Sequence, residues 1–161
     1  MNASEYAIEV ATEADLDAIS EIDRASFTNP WTRDMFAREL RQPQLARLYV
    51  IRAPGVRVAG FCVCWDVVRE VHLNTLAIRP DLRRRGLGTL MLRHVLREAA
   101  ERGARRATLD VRVSNDAALA LYRALGFEIA ATRGNYYSNP AEPAYILWHE
   151  HVERFLEPQG P

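Results

Sequence analysis

This chain of 161 residues contains no lysine; its 21 basic residues are all arginine. Lysine chemistry is thereby excluded, both the Schiff base and the phosphate-binding lysine of a P-loop. Net charge is absent too, because 21 acidic residues balance the 21 basic ones. Dedicated nucleic-acid and membrane-surface proteins carry a basic excess, so neither class is expected. No apolar run reaches the roughly 18 residues a membrane-spanning helix needs. The opening M-N-A-S-E-Y-A-I-E-V is acidic and lacks a basic-then-apolar leader pattern, which predicts a cytoplasmic protein. Only two cysteines occur, Cys62 and Cys64. Alternation puts them on one face of a predicted strand, a poor geometry for a disulfide, and no nearby residues complete a zinc spacing. We read them as packed thiols and expect no metal. Repeats, linkers and low-complexity segments are also missing.

What is there is ordinary globular usage, 48% apolar and 26% charged, in a length that suits one domain with a full core. Tyr6–Val10 reads as a strand. Thr12 with Asp15 three residues later is an N-terminal capping pattern, and Leu16, Ile19, Ile22 and Phe27 share the helical face behind it. A second, short helix starts at Pro30-Trp31-Thr32 and stops near Gln42-Pro43. Leu48–Arg52 and Val56–Val68 form a hairpin through Pro54-Gly55, and Glu70–Ile78 is a strand closed by Pro80. Leu87, Leu90, Met91, Val95 and Ala99 mark a long amphipathic helix to Arg102, ended by Gly103. A strand Ala107–Val113, a helix Asn115–Leu125 and strands near Phe127–Tyr136 and Ala144–His149 complete the order. The expected product is one α/β (α+β) domain over residues 1–155, with 156–161 a flexible tail.

Chemistry concentrates in L-A-I-R-P-D-L-R-R-R-G-L-G-T, residues 76–89. A strand enters an Arg- and Gly-rich turn, and an amphipathic helix leaves it at once. Gly86 and Gly88 allow a ligand close to the backbone. The helix start adds unpaired N–H groups and the positive end of a dipole, and Arg83, Arg84 and Arg85 add charge, so phosphate is the natural guest. The turn matches neither a P-loop nor the three-glycine dinucleotide fingerprint. Solvated arginines on a tight turn would look the same.

With T-L-D-V-R-V-S-N and A-L-A-L-Y-R-A-L-G-F, residues 108–127, the turn resembles the GNAT superfamily of acetyl-CoA-dependent N-acetyltransferases. Its R-x-x-G-x-G corresponds to Arg83, Gly86 and Gly88. Within that superfamily the chain is most similar to the RimI-type ribosomal-protein alanine N-acetyltransferases, through Asn29-Pro30-Trp31 and Asn135-Tyr136-Tyr137. The resemblance implies a mixed central sheet of about seven strands flanked by about four helices, with a V-shaped splay between the fourth and fifth strands. It also implies a pantetheine arm lying along Leu76, Ala77 and Ile78 as an added strand would. The pyrophosphate would rest on Arg84, Arg85, Gly86, Leu87, Gly88 and Thr89. Asn115 would contact the cofactor arm, though an N-cap is an equal use for it.

Acetyl transfer from a thioester needs a neutral amine, a stabilised oxyanion and a proton for the thiolate. Tyr122 matches the family's general acid, although it also shares a helical face with Ala118 and Leu125 and would serve as a core aromatic. Relatives carry Glu where this chain has Asp110, one methylene shorter, so Asp110 is expected to act through a bridging water. His72 is the rival base. A weak base suits an α-amine, of which about one in seven is neutral at pH 7, better than a lysine, neutral less than about once in a thousand. The resemblance places the peptide against Phe27–Trp31 and Tyr136–Ala144, with Trp31, Asn74, Tyr136 and Tyr137 as contacts and Glu21, Asp23 and Glu142 facing a basic second residue. His149 and His151 read as a solvated strand end.

The expected activity is acetylation of a protein N-terminus, foremost the N-terminal alanine of a small-subunit ribosomal protein. The expected partners exclude nucleic acid and membrane, and the expected state is a monomer or weak dimer. Three other readings stay open: broad N-terminal specificity, a small-molecule amine as acceptor, and a non-catalytic acyl-CoA-binding module.

Overall fold

The computed structural model describes residues 5–158, and the elements fall where the apolar periodicity puts them. In order they are β1 (Ala7–Val10), α1 (Leu16–Ser26), α2 (Arg33–Leu40), β2 (Ala46–Ala53), β3 (Val56–Val67), β4 (Glu70–Ile78), α3 (Leu87–Glu101), β5 (Arg106–Arg112), α4 (Asp116–Ala124), β6 (Glu128–Tyr137) and β7 (Glu142–His149). Seven strands form one sheet in the order β1-β2-β3-β4-β5-β7-β6. The β1–β2, β2–β3, β5–β7 and β6–β7 pairs are antiparallel and β4–β5 is parallel. The mixed seven-stranded sheet with four helices is thus present. The β4–β5 ladder registers Glu70, Val71 and His72 against Arg106, Ala107 and Thr108. No helix among the described residues is long and apolar enough to cross a membrane.

The described residues form two compact units, 5–65 with 74–95, and 66–73 with 96–158. In the first unit the capping pattern is realised: the Thr12 N–H donates to the Asp15 carboxylate at 2.9 Å, and a 3-10 turn over Glu13–Asp15 leads into α1. Leu16, Ile19 and Ile22 of α1 join Phe36 of α2, Leu48 and Val50 of β2, and Phe61 of β3 in one buried cluster. Val58 through Cys64 is buried without a break, as a central strand covered on both faces must be. Cys62 and Cys64 are buried thiols within it, not joined in a disulfide, and burial, reinforced by the neighbouring Cys64, pushes the Cys62 thiol up. Tyr49 points to the face opposite Leu48 and Val50, and its ring meets His94 of α3 edge-on at 5.9 Å.

In the second unit β7 lies between β5 and β6. Its last residue, His149, is buried, with its ring between Phe127 at 5.4 Å and Phe155 at 5.3 Å. The solvated strand end expected there is therefore corrected for His149. The backbone N–H of His151 donates to its Nδ1 at 3.1 Å, and burial holds its pKa below the usual histidine value. His149 is a core group rather than a solvated one. Val152–Leu156 forms a 3-10 turn that buries Val152 and Phe155, while Leu156, the first residue of the expected tail, is exposed. Residues 159–161 of that tail lie outside the described residues.

Candidate active site

The glycine turn of the first unit is held by its own arginines. At the end of β4 the Arg79 N–H donates to the Ala59 carbonyl at 2.8 Å. The Arg79 guanidinium grips Asp81 twice, each bond 2.7 Å, across a 3-10 turn over Pro80–Leu82. Arg83 donates from Nε to the Ile78 carbonyl and from Nη2 to the Ser26 hydroxyl, both at 3.0 Å. Backbone then passes through the left-handed region at Arg84 (φ 64°) and Gly86 (φ 80°). The first intrahelical bond of α3 runs from the Leu90 N–H to the Gly86 carbonyl. The N–H groups of Leu87, Gly88 and Thr89 precede any i−4 acceptor in the helix. A Cβ at Gly86 would meet nothing within 4 Å, so the space over its backbone is open. Amide donors at a helix start, arginine charge and an uncovered glycine fit a pyrophosphate. Leu76 and Ile78 are half-buried, Ala77 is buried and Asn74 is exposed.

In the second unit the sheet gathers the predicted chemical groups on one strand face. Asp110 and Arg112 lie two apart on β5 and so point the same way. The Tyr136 hydroxyl donates to Asp110 Oδ2 at 2.6 Å. The two residues are 26 positions apart, and the backbone of β6 closes the gap. Its register against β7 shifts between Arg133 and Tyr137, and Asn135 takes a left-handed conformation, φ 52°. Asn tolerates that conformation far better than most residues, which gives the first letter of Asn-Tyr-Tyr a backbone reason. The hydrogen bond to Asp110, with some burial and the carboxylate charge, raises the Tyr136 pKa. The Tyr137 ring packs edge-on against Tyr136 at 4.9 Å. Burial, then the charge of Asp110, pushes Tyr137 up to about 12.

Arg112 was not singled out by the sequence, yet it organises the β6–β7 hairpin. It donates to the carbonyls of Ser138 at 2.9 Å and Pro140 at 3.0 Å and to Glu142 at 3.1 Å, and its guanidinium lies 4.5 Å from the Tyr137 ring centre. The other Glu142 oxygen accepts from the Ser114 N–H at 2.8 Å. Asp110-x-Arg112 alternation was the available signal. Glu142 is therefore committed internally, as is Asp23, which is 1% exposed and accepts the Trp31 backbone N–H at 2.7 Å. Burial raises the Asp23 pKa, against the pull of that bond. Neither carboxylate is placed to greet a basic substrate residue as expected. Trp31 itself packs on Phe36, ring centres 5.1 Å apart.

Tyr122 of α4 packs its ring edge-on to Phe127 at 5.8 Å. Asn115 caps α4, its side-chain oxygen accepting the Ala118 N–H at 3.2 Å. His72, the rival base, has Nε2 3.4 Å from Glu70 Oε2, and Glu70 is in turn paired with Arg106.

The acetyltransferase (GNAT) family pattern matches residues 16–127, well over half of the chain. The chain belongs to the GNAT family. A [ribosomal protein bS18]-alanine N-acetyltransferase of Escherichia coli is 37% identical to this GNAT chain over 135 residues, covering 83% of it and 89% of the relative. The Salmonella typhimurium enzyme of the same name is 35% identical over 130 residues, covering 81% and 86%. A crystal structure of the Escherichia coli ribosomal-protein-S18-alanine N-acetyltransferase superimposes with a TM-score of 0.82 at 32% identity, covering 96% of each chain. This GNAT chain is accordingly an acetyl-CoA-dependent N-acetyltransferase, as the resemblance carried by its glycine turn and the pattern from Ser114 to Phe127 implied.

Proposed function

We propose that the enzyme transfers acetyl from acetyl-CoA to the α-amine of a protein, foremost the N-terminal alanine of a ribosomal protein of the bS18 kind, in the cytoplasm and as a monomer or weak dimer. The carrying observation is the identity, across more than four fifths of the chain, with two enzymes named for that reaction. Residues 1–155 act as one acetyltransferase domain. Leu76, Ala77 and Ile78 lend backbone groups to the pantetheine arm, and Asn115 reaches the same arm. The pyrophosphate takes the amides of Arg84, Arg85, Gly86, Leu87, Gly88 and Thr89. Asn74, Trp31 and Tyr137 line the peptide's path. Asp110 is the base, acting through a bridging group rather than directly, water in the simplest case, to take the ammonium proton. The freed amine lone pair attacks the thioester carbonyl, the C–S bond breaks, Tyr122 protonates the departing thiolate, and the second proton of the acylated nitrogen restores the Tyr122 hydroxyl.

A second reading, acceptance of many N-termini, is favoured by the internal commitment of Asp23 and Glu142. Two of the three carboxylates expected to select a basic second residue are occupied. Mass gain with acetyl-CoA on peptides beginning Ala-Arg, Ser or Met separates the readings. We expect the Ala-Arg peptide to react at least about tenfold faster; equal rates would establish the broad reading. Tight acetyl-CoA binding with no transfer to any peptide would leave a binding module or a small-amine acceptor.

A further inference from the structure

The Asp110 carboxylate is one methylene shorter than glutamate, and what stands within hydrogen-bond reach of it is a phenol. We propose that Tyr136 is a proton relay for Asp110: its oxygen takes a proton from the substrate ammonium while its own proton passes to the carboxylate. This inference rests on the reading of Asp110 as the base.

Hydrogen-bond bookkeeping on one hydroxyl carries it. The single Tyr136 proton is given to Asp110 Oδ2 at 2.6 Å. A phenol has no second proton to give, so its oxygen can only accept from whatever arrives. A peptide carbonyl needs a donor and is turned away; an ammonium N–H is what such an oxygen suits. Tyr136 is 44% exposed, and Asp110 is exposed as well, so the pair opens to solvent rather than to the core. Its placement is built rather than incidental. The β6 register shift and the left-handed Asn135 turn the chain there, and Tyr137 braces the ring at 4.9 Å. Arg112 holds Tyr137 and the hairpin carbonyls in turn. Because the neighbouring carboxylate keeps the phenol protonated, Tyr136 does not act as a free tyrosinate base; it passes one proton on as it receives another.

The balance closes. Of the two protons the ammonium loses on becoming an amide, one travels through Tyr136 to Asp110 and then to solvent. The other replaces the proton that Tyr122 gives to the thiolate. Tyr136 and Tyr122 end as they began.

The experiment measures kcat and peptide KM separately for Tyr136→Phe, Asp110→Asn, their double variant, and Asp110→Glu in the Tyr136→Phe background. Acetyl-CoA affinity by calorimetry checks each fold. We expect Tyr136→Phe to lower kcat about 10- to 100-fold with KM within about twofold, and the double variant to be no slower than the slower single one. Asp110→Glu should recover most of the lost kcat, since the longer carboxylate reaches without the relay. A raised KM at constant kcat for Tyr136→Phe, or no recovery by Asp110→Glu, overturns the relay. If Asp110→Asn is slow while Tyr136→Phe runs at full rate, the relay falls and the Asp110 reading stands. If Asp110→Asn runs at full rate, both fall.

Discussion

Tyr122 carries two readings on one side chain. It is 9% exposed and packs on Phe127, so the core reading of its helical face and the acid reading from the motif describe the same ring. Burying the ring fixes where the hydroxyl sits at little rotamer cost. Replacing it by Phe keeps the packing and removes only the oxygen. We predict for Tyr122→Phe a loss of about 100-fold in kcat with acetyl-CoA affinity unchanged and a denaturant midpoint close to that of the parent. Steady-state rates and binding calorimetry check it, and an unchanged kcat would remove Tyr122 from the chemistry. At this scale the sequence was informative about residue types and poor about partners. Asp110 and Tyr136 were each named, but their bond was not foreseeable, because a two-residue register shift in β6 decides which tyrosine turns back.

Elements are tied together by charge as well as by the core. Asp15 ends the 3-10 turn before α1, is fully buried, and accepts hydrogen bonds from Arg52 of β2 at 3.0 Å and Arg57 of β3 at 3.0 Å. Burial alone would raise its pKa. The bonds from Arg52, the Thr12 amide and Arg57 outweigh burial and hold it down to about 2. A carboxylate whose pKa is depressed on folding stabilises the fold above its unfolded value, and that stability is lost as pH falls through the folded one. The contribution, on the order of 2 kcal/mol, is thus whole above about pH 4 and gone below about pH 2. Asp15→Asn should cost about 2 kcal/mol at neutral pH, because Arg57 loses its carboxylate and Arg52 keeps only Glu9, and should flatten the stability decline between those pH values. Urea midpoints measured across the range check this, and parallel curves for the two proteins would refute it. The capping pattern at Thr12 and Asp15 was legible in the sequence. The arginines that share Asp15 were not, since they lie 37 and 42 residues away and nothing local marks them.

Over the whole molecule, hydrophobic periodicity was enough for the element order, and the glycine turn with the Ser114-Asn115 and Tyr122 spacing was enough for the family. Cross-strand charge pairing was the hidden part. Nothing local marks Arg112, and its partners on the hairpin lie 26 to 30 positions on. His149 looked like a solvated strand end because the two phenylalanines that enclose it belong to other segments. The most direct test of the central claim, that this acetyltransferase works on a protein α-amine, locates the acetyl group. A peptide beginning Ala-Arg and carrying one internal lysine would be incubated with enzyme and acetyl-CoA and sequenced by tandem mass spectrometry. A single acetyl on the alanine nitrogen, with the lysine untouched, is the predicted result. Acetyl on the lysine with the α-amine left free would contradict it.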